Sequence, residues 1–361
     1  MRIVRRKTKV IKIGRVSIGG SNPVAIQSMA KSKTCDISST VSQIKELERI
    51  GCDIVRLAVK DSQDAAALKK IKARINIPLV ADIHFDWRLA LAAMDSGADK
   101  IRLNPGNIYK KDQIKQIAMA AKSRGIPIRV GINSGSLPGS TSGGRDISDA
   151  MVKSALNYIK TLEYFGIRDI VVSLKASNVN DTLRAYRKMS SLCDYPLHLG
   201  VTATGTPDSG AIKSAILIGA LLSEGIGDTI RISLTDKPQE EVKVARSILE
   251  AVGLGSFGPE IISCPTCGRC QVNLIKIARE LENKLSAFSF QLSAKRIKVA
   301  VMGCEVNGPG EAREADIGVA FGKKEGWLFK KGKPVRKVPI NRCADILLKE
   351  ISKVCKCVSK T

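Results

Sequence analysis

A short apolar run followed by an amphipathic helical segment recurs eight times between residues 24 and 252. The runs are rich in Val and Ile, and the segments after them carry apolar residues at spacings of three and four, as helices do. Several segments end at a glycine, the residue favoured just beyond a helix C-terminus. Eight strand–helix units within about 250 residues predict an α/β fold, a (β/α)8 barrel of the TIM type.

The periodicity also sets the boundaries of each unit. The strands are expected at 24–29, 53–59, 78–85, 100–104, 127–133, 169–175, 196–202 and 229–234. The helices are expected at 40–50, 65–74, 87–96, 113–124, 148–165, 180–192, 211–224 and 240–252. A doubly wound open sheet is the alternative, but its usual glycine-rich turn after the first strand is absent. A hairpin over residues 9–20 precedes the first unit and is expected to close the N-terminal end of the barrel.

The repeat stops after Gly253, and residues 253–259 have the composition of a linker. Beyond the linker, the pattern predicts helices at 272–285 and 341–354, strands at 297–302 and 317–321, and a hairpin at 327–338. About 100 residues of this kind are enough for a minor domain. The chain is therefore expected to contain a barrel in residues 1–253 and a small α+β domain in residues 260–355.

Two turns rich in glycine and proline in the second domain carry four of the ten cysteines. Cys264, Cys267 and Cys270 share the turn CPTCGRC, and Cys304 follows Gly303 further along. A CxxC pair with a distant cysteine suits either zinc or an iron–sulfur cluster, and the spacing leaves both open. Glu311 adds a hard oxygen ligand, which a purely structural zinc site does not need. We therefore predict a metal centre in this domain.

Five of the predicted strands carry a cation among apolar residues near the C-terminal end. These are Arg56, Arg102, Arg129, Lys175 and Arg231. The C-terminal strand ends of such barrels form the functional site, and unpaired cations there repel by on the order of 2–4 kcal/mol per pair at an effective dielectric of ~20. Internal carboxylates such as Asp82 could offset part of that repulsion. We favour a phosphate-rich ligand that is bound by bidentate arginine contacts.

Other polar residues lie at the same predicted strand ends. Asp82 and His84 alternate on one side of the third strand, Asn133 ends the fifth, and His198 lies in the seventh. The chain has only these two histidines, so we interpret both as site residues rather than as core residues. The Ser- and Gly-rich segment 134–145 is predicted to be a flexible active-site loop, with a plain solvent-exposed loop as the alternative.

The net charge of +25 raises a different interpretation, a basic RNA-binding protein with a structural zinc and the barrel as scaffold. Aromatic residues make up only 4% of the chain, too few for base stacking, and the basic residues are spread along it. Solvated lysines on helix faces explain most of the charge, and acidic protein partners or anionic substrates explain the rest, so we expect no nucleic acid. No apolar run approaches the ~20 residues of a membrane span. Ten irregularly spaced cysteines fit a reducing compartment, and we expect a cytoplasmic enzyme.

The chain resembles the 4-hydroxy-3-methylbut-2-enyl diphosphate synthases, iron–sulfur oxidoreductases of the non-mevalonate isoprenoid pathway. The similar segments are 18–20, 27–29, 81–85, 101–107, 172–177, 198–202, 213–215, 224–231, 263–269 and 302–317. The last two segments, SCPTCGR and MGCEVNGPGEAREADI, are highly specific. The resemblance covers nearly the whole length of the chain.

This resemblance implies reductive ring opening and dehydroxylation of 2-C-methyl-D-erythritol 2,4-cyclodiphosphate to hydroxymethylbutenyl diphosphate. It implies a [4Fe–4S] cluster on Cys264, Cys267, Cys304 and Glu311, with two electrons supplied by a flavodoxin or a ferredoxin. It also implies a homodimer, in which the cluster domain of one subunit closes over the barrel of the other. The positions that match the substrate pocket are Arg56, Asp82, His84, Arg102, Arg129, Asn133, Lys175, His198, Arg231 and Ser233.

The chain departs from the family pattern at two positions. After the seventh strand the family commonly has Gly-Val-Thr-Glu-Ala-Gly, whereas this chain has Ala203 in place of the glutamate. Position 270 is usually not cysteine, so Cys270 is a possible fourth thiolate. We nevertheless predict Glu311 as the fourth ligand, because a carboxylate is displaced by substrate more easily than a thiolate.

Overall fold

The computed structural model describes residues 3–137, 146–202, 205–288, 297–306 and 308–358. The chain divides into two compact units, Met1–Gly255 and Ser256–Thr361. In the described part of the chain, no helix is both long enough and apolar enough to cross a membrane.

The first unit is a parallel eight-stranded barrel. Its strands are β3 (Ala25–Met29), β4 (Ile54–Val59), β5 (Leu79–Ile83), β6 (Lys100–Leu103), β7 (Ile128–Asn133), β8 (Ile170–Lys175), β9 (His198–Leu199) and β10 (Thr229–Ile230). They pair in the order β8-β7-β6-β5-β4-β3-β10-β9, and a parallel bridge from Val172 to Leu197 links the two ends. The predicted barrel is confirmed, although the last two strands are shorter than expected.

A helix follows each barrel strand. The helices are α1 (Ile37–Arg49), α2 (Ser62–Lys72), α3 (Arg88–Asp95), α4 (Lys111–Arg124), α5 (Ile147–Tyr164), α6 (Val179–Leu192), α7 (Pro207–Ser223) and α8 (Pro238–Ala251). Most begin a few residues before the predicted start, because a polar cap or a proline sets the first turn. The carboxylate of Asp61, for example, accepts from the Asp64 amide. Gly125 ends α4 in the left-handed conformation that favours glycine.

A hairpin closes one end of the barrel. Strands β1 (Ile11–Ile13) and β2 (Val16–Ile18) pair antiparallel, and three of their isoleucines are buried against the first inward-facing residues of four barrel strands. The cluster comprises Ile11, Ile13, Ile18, Ala25, Ile54, Val80 and Val171. Each buried isoleucine contributes about 1.5–3 kcal/mol. A ligand therefore has to enter from the opposite end, where the strands finish.

The second unit is built on a mixed five-stranded sheet. In sheet order its strands are β11 (Glu260–Ser263), β12 (Lys298–Met302), β13 (Ile317–Phe321), β14 (Glu325–Lys330) and β15 (Lys333–Pro339). Its helices are α9 (Leu274–Phe288), α10 (Gly308–Arg313) and α11 (Cys343–Val358). Neither β11 nor α10 was predicted, because each is too short to show a period. The larger elements agree with the predicted α+β fold.

The two faces of this sheet are covered unequally. On one face the long helices α9 and α11 pack on the larger core, which includes Leu281, Leu347 and Phe321. On the other face the six-residue helix α10 packs through Ala312 on Met302 and Ala320. Part of that second face therefore remains exposed.

Candidate functional site

The barrel cations lie deeper than their sequence positions suggested. Arg56 is the third of six residues in β4, and Arg129 is the second of six in β7, so both lie within the strands rather than at their ends. Arg129 and Arg102 are 1% and 5% exposed. The placement at strand ends was correct for Lys175, the last residue of β8, and for Arg231, just after β10. The cations therefore line the barrel interior beneath its open end.

Asp82 is the carboxylate around which part of this set is organised. Its Oδ1 accepts from Nη1 of Arg102 at 3.2 Å, and its Oδ2 lies 3.6 Å from Nε of Arg56 and 3.8 Å from Nε2 of His84. Burial raises the pKa of Asp82, but the charges of Arg56 and Arg102 outweigh burial and the pKa falls below its ordinary value. Asp82 is therefore an anion that positions three cationic or potentially cationic side chains.

Three further cations have no carboxylate partner in the described part of the chain. Arg129 contacts only the amide oxygen of Gln27, at 3.5 Å, and its Nε is buried without an acceptor. Nζ of Lys100 is likewise buried without an acceptor among the described residues. Lys175 is 5% exposed and forms no ion pair with any described residue. Donors that are this deeply buried and unpaired are costly to the fold unless a ligand satisfies them.

The pKa values of these cations also depend on their burial and on the positive charges around them. Burial is the main cause that lowers the pKa of Arg129, Lys175 and Lys100 well below their ordinary values, and neighbouring arginines lower it further. Burial also lowers the pKa of Arg56 to about 10, against the opposing effect of Asp82. An anion within this pocket would oppose these shifts and favour the charged forms.

Two glycines, Gly131 within β7 and Gly200 just after β9, make room for the cations. A Cβ on Gly131 would lie 2.6 Å from Nε of Arg102, and the Gly131 carbonyl accepts from Nη2 of the same side chain at 3.3 Å. A Cβ on Gly200 would lie 2.7 Å from Nζ of Lys175. Glycine within a strand marks a close approach of this kind. The barrel wall is therefore shaped around these two side chains.

The two histidines lie in different surroundings. His198 is fully buried, its Nδ1 lies 2.8 Å from Oγ1 of Thr229, and its Nε2 has no partner among the described residues. Burial, reinforced by Arg129 and Lys175, lowers the pKa of His198 well below its ordinary value, so the ring is neutral. His84 follows β5, and its side chain is 40% exposed beside Asp82. Only His84 is positioned to exchange protons with solvent.

The remaining predicted residues lie near the open end of the barrel. Asn133 ends β7, and its carbonyl accepts from the hydroxyl of Ser136 at 2.9 Å. Ser136 also contacts Asn104, which joins the loops after β6 and β7. The Ser233 hydroxyl accepts from the guanidinium of Arg231. Of the predicted loop 134–145, residues 138–145 lie outside the described residues, as does Ala203.

Sequence reasoning missed three polar residues of the interior: Lys100, Gln27 and Glu241. Lys100 precedes Arg102 by two residues and faces the same side of β6, so the period of two could have identified it. Gln27 was visible only as part of a family-like segment. Glu241, in the first turn of α8, lies 3.4 Å from Arg231 and 3.1 Å from Nζ of Lys31. An acidic residue in the first turn of a helix is usually exposed, so the sequence did not indicate this buried contact.

The cysteine turn of the second unit lies against the end of β12. Cys264 directly follows β11, and its sulfur accepts from the Gly303 amide at 3.4 Å. The Gln271 amide donates to the Gly303 carbonyl at 2.8 Å. Thr266 has φ of +63°, a left-handed conformation that reverses the chain between Cys264 and Cys267. These contacts bring the CPTCGRC turn beside the backbone that carries Cys304.

Cys270 and Glu311 differ in accessibility. The thiol of Cys270 donates to the carbonyl of Val272 at 3.2 Å, and a Cβ on Gly303 would lie 2.4 Å from its sulfur. Glu311 is exposed in the first turn of α10. Helix α10 begins at Gly308, and Pro309 suits its first turn.

The side chains predicted to bind the metal are of the chemical types that hold an iron–sulfur cluster. Three soft thiols are present with a backbone amide that donates to one of the sulfurs, as cluster thiolates commonly require. In the described residues, no group of three or more His, Cys, Asp or Glu side chains is arranged around a single metal ion. A cluster places each ligand on a different iron, so its ligands need not converge on one point. The ligand set therefore remains a prediction.

Solved structures of other proteins share the barrel. Dihydropteroate synthase from Yersinia pestis aligns with a TM-score of 0.51 and 11% identity, over 68% of this chain and 98% of that one. A pyrophosphokinase–dihydropteroate synthase from Plasmodium falciparum (HPPK-DHPS) gives the same score over 68% of this chain and 51% of its own. At this identity the likeness concerns the fold alone. The fold and the site thus define a TIM-barrel protein whose interior is lined by buried cations.

Comparison of sequences defines the family. Residues 8–246 match the model of the GcpE TIM-barrel domain, and residues 260–353 match that of the GcpE protein C-terminal domain. A relative from Caldanaerobacter subterraneus subsp. tengcongensis is 55% identical over 98% of this chain and 99% of its own. A relative from Clostridium perfringens is 53% identical over 97% and 99%. Both are named 4-hydroxy-3-methylbut-2-en-1-yl diphosphate synthase (flavodoxin). The chain belongs to the GcpE family, and none of these matches supports an RNA-binding role.

Proposed function

We propose that the chain catalyses the reaction for which its relatives are named. The substrate is 2-C-methyl-D-erythritol 2,4-cyclodiphosphate, and the product is 4-hydroxy-3-methylbut-2-enyl diphosphate. The ring C–O bond to phosphate breaks, the carbon skeleton gains a double bond, and one hydroxyl leaves as water. Two electrons and two protons balance the conversion.

The observation that carries the proposal is the set of buried cations without carboxylates. Arg129, Lys100 and Lys175 lack a carboxylate partner among the described residues, while Arg56 and Arg102 share one, Asp82. A diphosphate supplies the missing negative charge and several acceptor oxygens at once. Arginine matches phosphate oxygens with two parallel N–H donors. The interior therefore suits a diphosphate better than a singly charged ligand.

The other predicted pocket residues complete the binding site in this proposal. Asp82 keeps Arg56 and Arg102 in place, and the Arg231 guanidinium is held between Ser233 and Glu241. Neutral His198 and the amide of Asn133 provide uncharged polar contacts for the organic part of the substrate. His84, half-exposed beside Asp82, is the group that could exchange a proton with solvent.

We further propose that Cys264, Cys267, Cys304 and Glu311 hold a [4Fe–4S] cluster. When bound, such a cluster supplies electrons one at a time and a Lewis-acidic iron. The Gly303 amide, which donates to Cys264, would stabilise the thiolate form of that residue. Cys270 instead donates to a backbone carbonyl, which supports a structural role. The electron donor in this proposal is a flavodoxin, the donor printed in the names of the relatives.

Lys175 makes the binding of substrate depend on pH. Burial and four neighbouring arginines hold its pKa low, whereas a bound diphosphate favours the protonated form. The free protein therefore binds fewer protons than the complex, and affinity should fall as pH rises. One coupled proton corresponds to at most about tenfold per pH unit. The cyclic diphosphate has one ionisable oxygen per phosphorus, so it does not itself titrate near neutral pH.

Calorimetry in two buffers of different ionisation enthalpy measures this proton uptake. We expect the Lys175→Met variant to take up fewer protons than wild type when it binds the cyclic diphosphate. Its affinity for the cyclic diphosphate should also depend less steeply on pH. Lys160→Met, at an exposed position on α5, is the matched control and should behave as wild type. An unchanged proton uptake in Lys175→Met would assign the coupling to another group.

We also propose that the chain is a homodimer that uses the outer surface of α7. Ile212 and Ile216 are one helical turn apart and are 61% and 56% exposed, which is unusual for neighbouring isoleucines. The double variant Ile212→Glu/Ile216→Glu should weaken dimerisation at least about tenfold. Sedimentation velocity measures the effect, with Met119→Glu, exposed on α4, as control. A dimer unaffected by the double variant would show that this surface is not the interface.

The proposed reaction is tested by anaerobic turnover. Protein reconstituted with iron and sulfide is incubated with the cyclic diphosphate and dithionite, and phosphorus NMR follows the substrate. We expect the two ring phosphates to be replaced by the signals of a linear diphosphate ester, with two electrons consumed per product. Persistence of the cyclic diphosphate with iron-replete, folded protein would refute the proposal.

A further inference from the structure

A basic surface lies at the exposed edge of the second unit. It is formed by the turn between β13 and β14 and by the hairpin β14–β15, over residues 322–339, and we call it the basic hairpin. Its cations are Lys323, Lys324, Lys330, Lys331, Lys333, Arg336 and Lys337, and its one acidic residue is Glu325. β15 is an edge strand of the sheet, and six of its seven residues are exposed, all except Val338. The surface is thus accessible within its own unit.

Only some of these cations are neutralised. Lys330 lies 2.5 Å and Arg336 3.7 Å from the buried carboxylate of Glu350, and Lys337 pairs with Glu325. Lys323, Lys324, Lys331 and Lys333 form no ion pair with any described residue. Lysine on an edge strand can simply prevent pairing with another sheet. That explanation does not account for Lys323 and Lys324, which lie in a turn.

An aromatic side chain lies among the lysines. Trp327 is 45% exposed, and Nζ of Lys337 lies 5.6 Å from its ring centre. Ala320, Trp327 and Lys337 are directly opposite one another on three adjacent strands, so they share one face of the sheet. This is the face that only α10 covers. An exposed tryptophan with a basic rim has the composition of a protein interface.

A cleft of about 210 Å³ joins this surface to the turn that follows β12. Its walls include Lys323, Lys324 and Trp327 on one side, and Glu305 and Pro309 on the other. Glu305 follows Cys304 directly, and Pro309 lies in α10 two residues before Glu311. The cleft therefore leads from the basic hairpin to the segment that carries two of the predicted cluster ligands.

We propose that the basic hairpin is the docking surface of an acidic one-electron donor protein, with Trp327 as its central contact. The proposal rests on the proposed function, because only a redox reaction requires a donor to approach the cluster ligands. Charge complementarity selects an acidic partner and speeds its approach. The flavodoxin in the names of the relatives is the candidate donor of this kind. RNA is the other polyanion to test, but a single exposed aromatic residue gives it little to stack on.

The test uses two charge-reversal variants of the full-length protein. Lys323→Glu/Lys324→Glu changes the basic hairpin, and Lys276→Glu/Lys349→Glu makes the same change on α9 and α11, which cover the opposite face of the sheet. All four lysines are exposed. Trp327→Ala is the third variant. Flavodoxin binding is measured by calorimetry at two salt concentrations, and turnover is measured with reduced flavodoxin and, separately, with dithionite.

We expect the hairpin reversal to weaken flavodoxin binding and flavodoxin-driven turnover by about tenfold or more at low salt, with a smaller loss at high salt. Trp327→Ala should weaken binding roughly tenfold at both salt concentrations. Dithionite-driven turnover should stay within about twofold of wild type, and the control reversal should change neither assay beyond that range.

The outcomes separate this proposal from the proposed function. Equal effects of the two charge reversals, or unaltered flavodoxin binding, would show that the basic hairpin is not the docking surface. In either case, turnover with dithionite would still support the proposed reaction. A parallel loss of dithionite turnover would also overturn it, since the hairpin would then act in catalysis. Selective loss of oligonucleotide binding would assign the surface to RNA. If wild type binds flavodoxin through the hairpin but never converts the cyclic diphosphate, the docking surface stands and the proposed reaction fails.

Discussion

Replacing Glu311 by alanine should reduce turnover of the cyclic diphosphate by about 100-fold or more while most of the iron is retained. In the proposed ligand set, three thiolates would be enough to keep a cluster in place, and Glu311 would be the one ligand that is not a thiolate. A carboxylate is the harder ligand and is displaced more readily than a thiolate. Iron analysis and electron paramagnetic resonance, with and without substrate, measure both parts of this expectation.

Cys270→Ser is the matched variant for this prediction. Its thiol donates to the carbonyl of Val272, a contact that a serine hydroxyl can reproduce. We expect this variant to keep its cluster and its turnover. A Cys270→Ser protein without iron, together with an unaffected Glu311→Ala protein, would show that the fourth ligand is the thiolate.

Replacing Arg129 by alanine should weaken binding of the cyclic diphosphate by about 1.5–3 kcal/mol, which is the range for hydrogen bonds to a charged group. This side chain is 1% exposed, has an unpartnered Nε and contacts no carboxylate among the described residues. Its donors are therefore available to a ligand at little further cost. Calorimetry of the iron-free protein with the cyclic diphosphate measures the loss.

Two companion variants make the Arg129 result specific. Arg129→Lys keeps the charge but cannot form two parallel hydrogen bonds, so its affinity should lie between wild type and Arg129→Ala. Arg74→Ala, at an exposed position after α2, should bind as wild type. Wild-type affinity in Arg129→Ala, with the fold intact by circular dichroism, would contradict the anionic pocket.

The fold was predictable where one period persists for a whole element. The barrel strands are buried on both faces and read as continuous apolar runs, and long helices such as α5 repeat their apolar face over several turns. The short elements β11 and α10 contain no more than two periods and were missed. Helix starts were also missed, because caps such as Asp61 precede the first apolar residue.

Most residues of the site could be identified from the sequence, but their depth within the barrel could not. A cation inside an apolar strand pattern is conspicuous, so Arg102 and Arg129 could be identified from the sequence. Which layer of the barrel a residue occupies depends on the stagger between strands, and this is not encoded in any single strand. Glu241 was overlooked for a different reason, since its role arises only from the contact of a helix start with Arg231.

The central claim is that an iron–sulfur cluster serves a diphosphate pocket, and the metal content of anaerobically purified protein tests it most directly. We predict a brown protein with about four irons and four sulfides per chain, and a paramagnetic resonance signal in the reduced state that changes when the cyclic diphosphate is added. A colourless protein with one zinc per chain, or a cluster whose signal is indifferent to the cyclic diphosphate, would contradict the account.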